Sequence, residues 1–527
     1  MITRPAPPFL DLKSFLVFLE ESSRLRRVSA PVNKDWEIAC IARWAMESTR
    51  EEQAYAILFE NVKNHTVPVV VNLYAPHATY AAALGVAPEA LLERWATALS
   101  QPRKPTLAES GPVQEVVERD LEINILTIPA PVWTPGRDAG PYLSAANVIT
   151  KDPKTGVQNL GNYRVQIHDE KHAGLFFGSR MQHGAIHYKQ YCERQQPMPV
   201  AIVVGVPPVV NFAAAAKTAY GVDELDIAGG LAGLSLEAVR GKTVDLLVPA
   251  QAECVIEGWV SPVTQRMEGP FGEALGYMNL AAPSPVVDVT AVCHQRAPVH
   301  HGYVQQLPPS DGHIVMEIGV LGPLWYYLTR NLRLEGVLDL AILRGSAGLA
   351  TLVVQLERSH ARDGAGKSVG RTLAKIHFGQ KFICLVDEDI DIRDQETLNW
   401  ALSSRVDPEC DIEIVQGVST YQYDPSILAR TETQGHQLSG PPYRSSIAIV
   451  DATLKCTVPE VSLPGRSLMR TVLNNWEKTG LPAIAPRKRI ERLLDVHSES
   501  GLDFSCLSGT KPRTDRAATL EKPHLPF

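Results

Sequence analysis

Leu12, Phe15, Leu16, Phe18 and Leu19 recur at the spacing of one helix face, and Asp11 stands where an N-cap belongs. Residues 11–25 are therefore predicted helical. Residues 56–59 and 67–73 are short apolar runs of β type, separated by the turn-rich stretch 61–65. Residues 88–99 return to helical period, with Pro88 first, where its missing N–H costs nothing. This alternation predicts a small α/β unit up to about Arg103, and Gln101-Pro102-Arg103-Lys104-Pro105 reads as a linker.

From about residue 113 to 304 the texture changes. The runs 145–149, 200–206, 244–248 and 286–292 are β-branched, closely spaced and bounded by Pro or Gly. That pattern predicts a barrel or sandwich with one or two inserted helices. Beyond it, a helix over 314–328 alternates with strands over 350–356 and 382–386, and Val386-Asp387-Glu388-Asp389 falls at a strand's carboxyl end. The fold class expected is α/β (α+β), in three units with a tail: 1–105, 106–312, 313–500 and 501–527. The tail is polar and proline-containing, with Lys511, Arg513 and Arg516, and is expected to be poorly ordered or draped over a neighbouring subunit.

At 527 residues, 45% apolar and 21% charged, the chain has ample material for a core, which excludes disorder as its default state. Its net charge of −7 gives no global pull toward nucleic acid or anionic membrane. Cys40, Cys192, Cys254, Cys293, Cys384, Cys410, Cys456 and Cys506 are scattered without a C-x-x-C pair, so buried, reduced thiols are expected. Met1 to Pro8 holds three prolines and no apolar signal core. The most apolar stretch, 198–216, is broken by Pro199, Pro207 and Pro208. A soluble, cytoplasmic chain is expected.

Unusual residues are densest between Asn159 and Glu273. In Glu268-Gly269-Pro270-Phe271-Gly272-Glu273 two carboxylates flank a hinge. Five residues apart in a straight strand they would face opposite sides, but two glycines and a proline can fold the backbone so that they converge. Paired acids in a shielded site raise each other's proton affinity and can serve as general acid and base. A polar hairpin with solvated acids is the plainer alternative. His168/His172 and His183/His187 are four apart, a chelating interval on a helix, yet neither pair encloses the Glu of a metalloprotease motif. Core or solvated histidines fit better. Gly229-Gly230-Leu231-Ala232-Gly233 is too loose for a dinucleotide loop and reads as helix packing. Gly366-Lys367-Ser368 imitates the end of a phosphate loop, but Ala361 stands where the leading glycine belongs.

Several segments together resemble the UbiD-type reversible decarboxylases, which use prenylated FMN. They are Asn159-Leu160-Gly161-Asn162-Tyr163-Arg164, Gly205-Val206-Pro207-Pro208, Val222-Asp223-Glu224 and the Glu268–Glu273 hinge. The similarity runs from Asp11-Leu12 and Ile57-Leu58-Phe59-Glu60-Asn61, through Ser404-Arg405-Val406-Asp407-Pro408, to Asp451-Ala452-Thr453. It implies a central flavin-reductase-like split β-barrel between two α/β units, the last serving oligomerisation.

The resemblance places the family's metal ligands on Asn159, His183 and Glu224, a hard set suited to Mn²⁺ or Mg²⁺ with K⁺ nearby. Its catalytic network falls on Glu268, Arg164 and Glu273, with Glu273 as proton donor. Gln182, Ala214, Ala215 and Lys217 complete the implied cofactor contacts. The family's phosphate-binding Lys is replaced by Ile447, leaving Arg444, Lys455 or Lys217 for that role, and Ala213-Ala214-Ala215-Ala216 stands where serines are frequent. The implied partners are a small aromatic or heteroaromatic acid, other copies of the chain (dimer or hexamer), and a flavin prenyltransferase that supplies the cofactor.

His300 and His301 lie where relatives acting on hydroxylated or heteroaromatic acids place a substrate-facing His, although a place at a domain junction suits them as well. Arg344 and Arg362 could bind a second anionic group, as in an aryl-CoA acid such as phthaloyl-CoA, with a salt bridge as the simpler role. Two other functions were weighed: a flavin-dependent reductase on the same barrel type and a non-catalytic flavin-binding subunit. The lack of a dinucleotide fingerprint disfavours the first, and the intact Glu268/Arg164/Glu273 set disfavours the second.

Overall fold

The computed structural model describes residues 7–361, 365–376, 379–420, 424–427, 444–456, 458, 461–484 and 488–497. Arg362, Cys506 and the tail 501–527 lie outside the described residues.

Helix α1 (Leu12–Glu21) begins where the Asp11 carboxylate accepts the Ser14 N–H at 2.7 Å, and it buries Leu12, Phe15, Leu16 and Leu19. It stops four residues before the pattern did, because the chain turns at once into β1 (Leu25–Val28). There follow α2 (Glu37–Ser48), β2 (Ala56–Phe59), β3 (Val69–Val71), α3 (His77–Ala83) and α4 (Leu91–Ser100). Pro88 opens a short 3₁₀ turn that leads into α4. Helices α2 and α3 carried no start signal, since neither Trp36 nor Pro76 caps its helix with a side chain.

The central unit runs through β4 (Thr106–Leu107), β5 (Val116–Arg119), β6 (Tyr142–Leu143), β7 (Asn147–Lys151), β8 (Gln158–Asn162), β9 (Val165–Ile167) and β10 (His172–Leu175). After α5 (His183–Glu193) come β11 (Met198–Val204), α6 (Pro208–Ala215), α7 (Glu224–Ala232), β12 (Glu237–Arg240), β13 (Leu247–Pro249), β14 (Cys254–Glu268) and β15 (Ala282–His294). Nine of these strands form one sheet in the order β6-β9-β10-β15-β14-β11-β7-β8, with β5 paired to β15. The long β14–β15 ladder slips register at Glu257/Gly258 and again at Val260/Gln265. Such irregularities bend and twist a strand pair, and here the sheet curls into a half-barrel.

The chain then returns to its start. Strand β16 (His300–His301) pairs in parallel with β3, completing an N-terminal sheet of order β1-β2-β3-β16. The stretch 101–105 is no loose linker either. Arg103 N–H donates to Asp226 O at 2.8 Å, and a Cβ on Gly229 would lie 2.3 Å from Arg103 O. A Cβ on Gly230 would lie 2.6 Å from Ala98 O, so these glycines do pack α7 against the end of α4.

Helix α8 (Asp311–Tyr326) leads to β17 (Val337–Ile342), β18 (Thr351–Leu356), α9 (Arg358–Ala361), α10 (Ala365–Lys375), β19 (Phe382–Asp387), α11 (Gln395–Arg405), α12 (Pro408–Asp411), β20 (Ile412–Ser419) and β21 (Arg444–Asp451). The sheet order is β17-β18-β19-β21-β20, with β18, β19 and β21 parallel. Val369 and Leu373 of α10 join one hydrophobic cluster, Leu398 and Ala401 of α11 another. Gly366-Lys367-Ser368 lies in the first turn of α10, which follows helix α9 and not a strand, so the strand–loop–helix context of a phosphate loop is missing. At the carboxyl end of β19, Arg405 pairs with Asp387 at 3.2 Å and Asp389 at 2.6 Å. Cys293 and Cys384 are buried as expected, but Cys40, Cys410 and Cys456 are exposed, and no disulfide joins the described cysteines. Among the described residues no helix is long and apolar enough to cross a membrane.

Candidate active site

Glu268 is the last residue of β14, and the chain reverses between β14 and β15 to carry Glu273. Gly269 takes φ +81, a conformation open to glycine at little cost, and its N–H donates to the Tyr142 hydroxyl at 3.0 Å. Asn279 then closes the loop: its side chain accepts the Phe271 N–H at 2.7 Å and its N–H donates to Phe271 O at 2.9 Å. Glu273 N–H donates to Tyr277 O at 2.8 Å. The hinge thus turns the two acids toward one cation.

That cation is Arg164, between β8 and β9. Its Nε and Nη2 donate to the two oxygens of Glu268, each at 2.8 Å, a bidentate fork. Its Nη1 donates to Glu273 Oε1. The guanidinium also lies over the Phe176 ring, 3.6 Å from the centroid, and 5.0 Å from that of Phe271. All three charged residues are buried. The two acids are therefore unequal: Glu268 is engaged through both oxygens, Glu273 through one.

Burial pushes the Glu273 carboxyl upward, with the Arg164 charge and hydrogen bond working against it and Glu268 reinforcing it. For Arg164, burial disfavours the charge, but Glu273 and Glu268 outweigh it and hold its pKa above the ordinary value. One guanidinium cannot neutralise two carboxylates. A proton on Glu273 would balance the cluster, and burial favours it there.

A second polar group forms beside β8. Glu224 opens α7 behind the N-cap Asp223, whose side chain accepts Leu225 N–H at 3.0 Å. Glu224 Oε2 accepts Leu160 N–H at 2.8 Å, and Oε1 accepts the Thr218 hydroxyl at 2.9 Å. His183, the first residue of α5, brings Nδ1 to 3.6 Å from Glu224 Oε1, with its ring edge-on to Tyr220. Asn159 precedes Leu160 on β8 and is buried, and its side-chain Nδ2 has no partner among the described residues. The buried Oε1 of Gln182 is likewise unpartnered.

Three family descriptions match in order along the chain. They are the N-terminal, Rift-related and C-terminal domains of 3-octaprenyl-4-hydroxybenzoate carboxy-lyase, over residues 16–99, 104–308 and 320–452. The chain belongs to the UbiD family. An uncharacterized protein in the cooM 5′ region of Rhodospirillum rubrum is 30% identical over 423 residues, 79% of this chain and 88% of that one. The UbiD-class enzyme HmfF of Pelotomaculum thermopropionicum, solved with prenylated FMN, is 32% identical with a TM-score of 0.75, covering 87% of this chain and 98% of that one. Vanillic acid decarboxylase of Sedimentibacter hydroxybenzoicus in its closed form is 26% identical with a TM-score of 0.77, covering 89% and 99%. The fold is thus the UbiD fold, and the family and these solved neighbours are of the decarboxylase, carboxy-lyase type.

Within the UbiD-family frame, the Glu224 carboxylate, the His183 imidazole and the side-chain carbonyl oxygen of Asn159 are donor types that a hard divalent cation accepts. Of the basic residues considered for a cofactor phosphate, Lys455 is held by Asp411 at 3.1 Å and Arg444 donates to Gly417 O, while Ile447 is buried in the C-terminal core. Lys217 makes no ion pair among the described residues, and burial lowers its ammonium pKa. Ala214 and Ala215 sit at the end of α6 just before it.

The other histidines have separate places. His168 and His172 face across a β9–β10 turn rather than along a helix, and His187 is a core residue bonded to Thr150 Oγ1 at 2.9 Å. His300 and His301 are buried in the N-terminal sheet, their pKa values pushed down to about 3 by burial, and His301 lies against Tyr74 and Tyr303. Arg344 pairs with Glu51 at 3.1 Å, the salt bridge that the sequence offered as its simpler role. Sequence reasoning missed Tyr142, Phe176 and Asn279, which shape the Arg164 cluster. Each is an ordinary apolar or loop position whose importance arises only from long-range contact.

Proposed function

We propose that this chain is a non-oxidative, reversible decarboxylase of an aromatic or heteroaromatic acid, using prenylated FMN, with Glu273 as proton donor. The observation that carries the reading is the buried Glu268–Arg164–Glu273 cluster, in which Arg164 grips one acid with a fork and the other through a single oxygen. When bound, prenylated FMN supplies the electron sink that a leaving carbon dioxide requires and no side chain offers.

The residues of the chain do the rest. Asn159, His183 and Glu224 would hold Mn²⁺ or Mg²⁺ at the cofactor phosphate, with Gln182 and Lys217 beside them and K⁺ as a further ion. Glu268 fixes the guanidinium, and Arg164 in turn fixes Glu273. Burial biases the Glu273 carboxyl toward its protonated form, against the pull of Arg164, and that proton goes to the ring carbon that has lost its carboxylate. Likeness to a vanillic acid decarboxylase supports a ring acid as substrate. The reading carries with it self-association and a prenyltransferase that makes the cofactor.

The test is carbon dioxide release from a panel of aryl acids, by protein produced together with a flavin prenyltransferase. Glu273→Gln is expected to keep its bound flavin and lose turnover by roughly 10²- to 10⁴-fold, the usual share of a general acid. Normal decarboxylation by that variant would remove Glu273 from the mechanism. Oxidation of a nicotinamide without carbon dioxide release would select the reductase reading.

A further inference from the structure

Glu273 lies in a tight reversal. Gly276 N–H donates to Glu273 O at 2.8 Å, and a Cβ on Gly276 would meet Pro308 at 2.9 Å. The next residue, Ala274, presents its carbonyl to His313, whose Nε2 lies 2.8 Å away. A carbonyl only accepts, so Nε2 carries the ring proton. Nδ1 is then an acceptor, and the Ser310 hydroxyl stands 2.7 Å from it. His313 is buried in the first turn of α8, and burial favours its neutral form, in which one ring nitrogen donates and the other accepts. The ring is thereby fixed at both ends, and it grips the carbonyl of the residue after Glu273.

The same stretch of α8 is touched by the loop between β17 and β18. Gly348, at φ +67, lies so near the helix that a Cβ would come 2.6 Å from His313 O. One turn along, Glu317 accepts from His77 Nε2 at 3.0 Å, and the other ring nitrogen of His77 meets Glu51 at 2.5 Å. Glu51 in turn holds Arg344, four residues before Gly348. The loop 344–348 is thus docked on α8 and on the N-terminal unit at once.

We propose that His313 is a positioning residue for Glu273, and that through α8 its grip depends on the loop 344–348 being seated. The proposal rests on the reading of Glu273 as proton donor. In the loaded enzyme, His313→Leu removes the ring donor, whereas His313→Gln keeps a side-chain N–H able to reach Ala274 O. His313→Leu is expected to lower kcat on the order of 10²-fold, the scale of a misplaced catalytic group, with KM and bound flavin unchanged. It is also expected to shift the basic limb of the pH profile. His313→Gln is expected to restore most of the rate and the wild-type limb.

Arg344→Ala is expected to give a smaller fall in kcat that does not add to that of His313→Leu, because both act through one helix. Should His313→Leu fail to fold, Ser310→Ala, which frees the ring without emptying its site, takes its place with the same expected loss of kcat. A wild-type kcat and pH limb in the leucine or alanine variant overturns the proposal. So does a raised KM at constant kcat, which would make His313 a substrate contact. If Glu273→Gln stays active, the donor reading itself has failed. If Glu273→Gln is dead while the position-313 variants are unaffected, positioning alone has failed.

Discussion

At the scale of single residues the site is a charge problem with a geometric answer. A lysine at position 164 would keep the charge but lose the planar fork, so it could not serve both Glu268 oxygens and Glu273 together. Breaking a buried pair of this kind costs about 3–5 kcal/mol, since a carboxylate is left buried and unmatched. Arg164→Lys is therefore expected to lower the unfolding temperature and to cut carbon dioxide release by more than about tenfold. Melting curves and turnover check this together, and a variant active at the wild-type rate contradicts it. On the proposed reading, the proton on Glu273 sets the pH dependence. A carboxyl raised by burial is protonated, hence competent, at low pH and loses its proton as pH rises. Turnover is expected to fall on the basic side, and the flank should vanish in Glu273→Gln. In the second cluster, Glu224→Gln keeps an acceptor for Leu160 N–H and removes the negative charge. On the proposed reading of this cluster as a metal site, divalent-metal affinity, read by elemental analysis, is expected to weaken by roughly 10- to 100-fold.

Elements show why some of this was legible in the sequence and some was not. The helix at Asp11 and the strands expected at 56–59 and 382–386 announce themselves by local period and capping; both strands form there to within a residue, and the helix starts there although it ends four residues early. The acid pair was visible because its hinge is local: two glycines and a proline between two glutamates. Arg164 stands 104 residues before Glu268, a distance no spacing rule spans, and only the family resemblance placed it. Strand β16 was invisible for a similar reason, because two histidines after a proline-bounded turn carry no strand period, and their pairing with β3 is decided by tertiary contact. The bulges of β14 belong here too. Gly258 passes the β15 backbone so closely that a Cβ would lie 2.4 Å from Asp288 O, with no flexible side chain to yield. Gly258→Ala is expected to cost about 1–3 kcal/mol, as overpacking does, measured by denaturant unfolding. Stability equal to wild type would mean that the strand pair can open there without penalty.

Over the whole molecule the units are stitched rather than strung. The central unit returns β16 to the N-terminal sheet, and the C-terminal unit leans on the N-terminal one through Arg344, Glu51, His77 and Glu317. His77 is the titrating member. Burial lowers its pKa, but Glu317 and Glu51, one at each ring nitrogen, outweigh burial and raise it to about 10. Arg344 faces Glu51 from the C-terminal side, so the clasp carries two cations against two carboxylates while His77 is protonated. A pKa raised in the folded state means that the contribution is complete below the unfolded value of 6.5 and is lost as pH climbs through about 10. His77→Gln can bridge both partners as a neutral group but cannot carry the charge. The gap in melting temperature between wild type and His77→Gln is therefore expected to be widest near about pH 6 and to close by about pH 10.5. A gap of constant size across that range would mean that the imidazole holds the units together by shape and hydrogen bonding alone. The direction of the slope thus separates a charged clasp from a merely packed one.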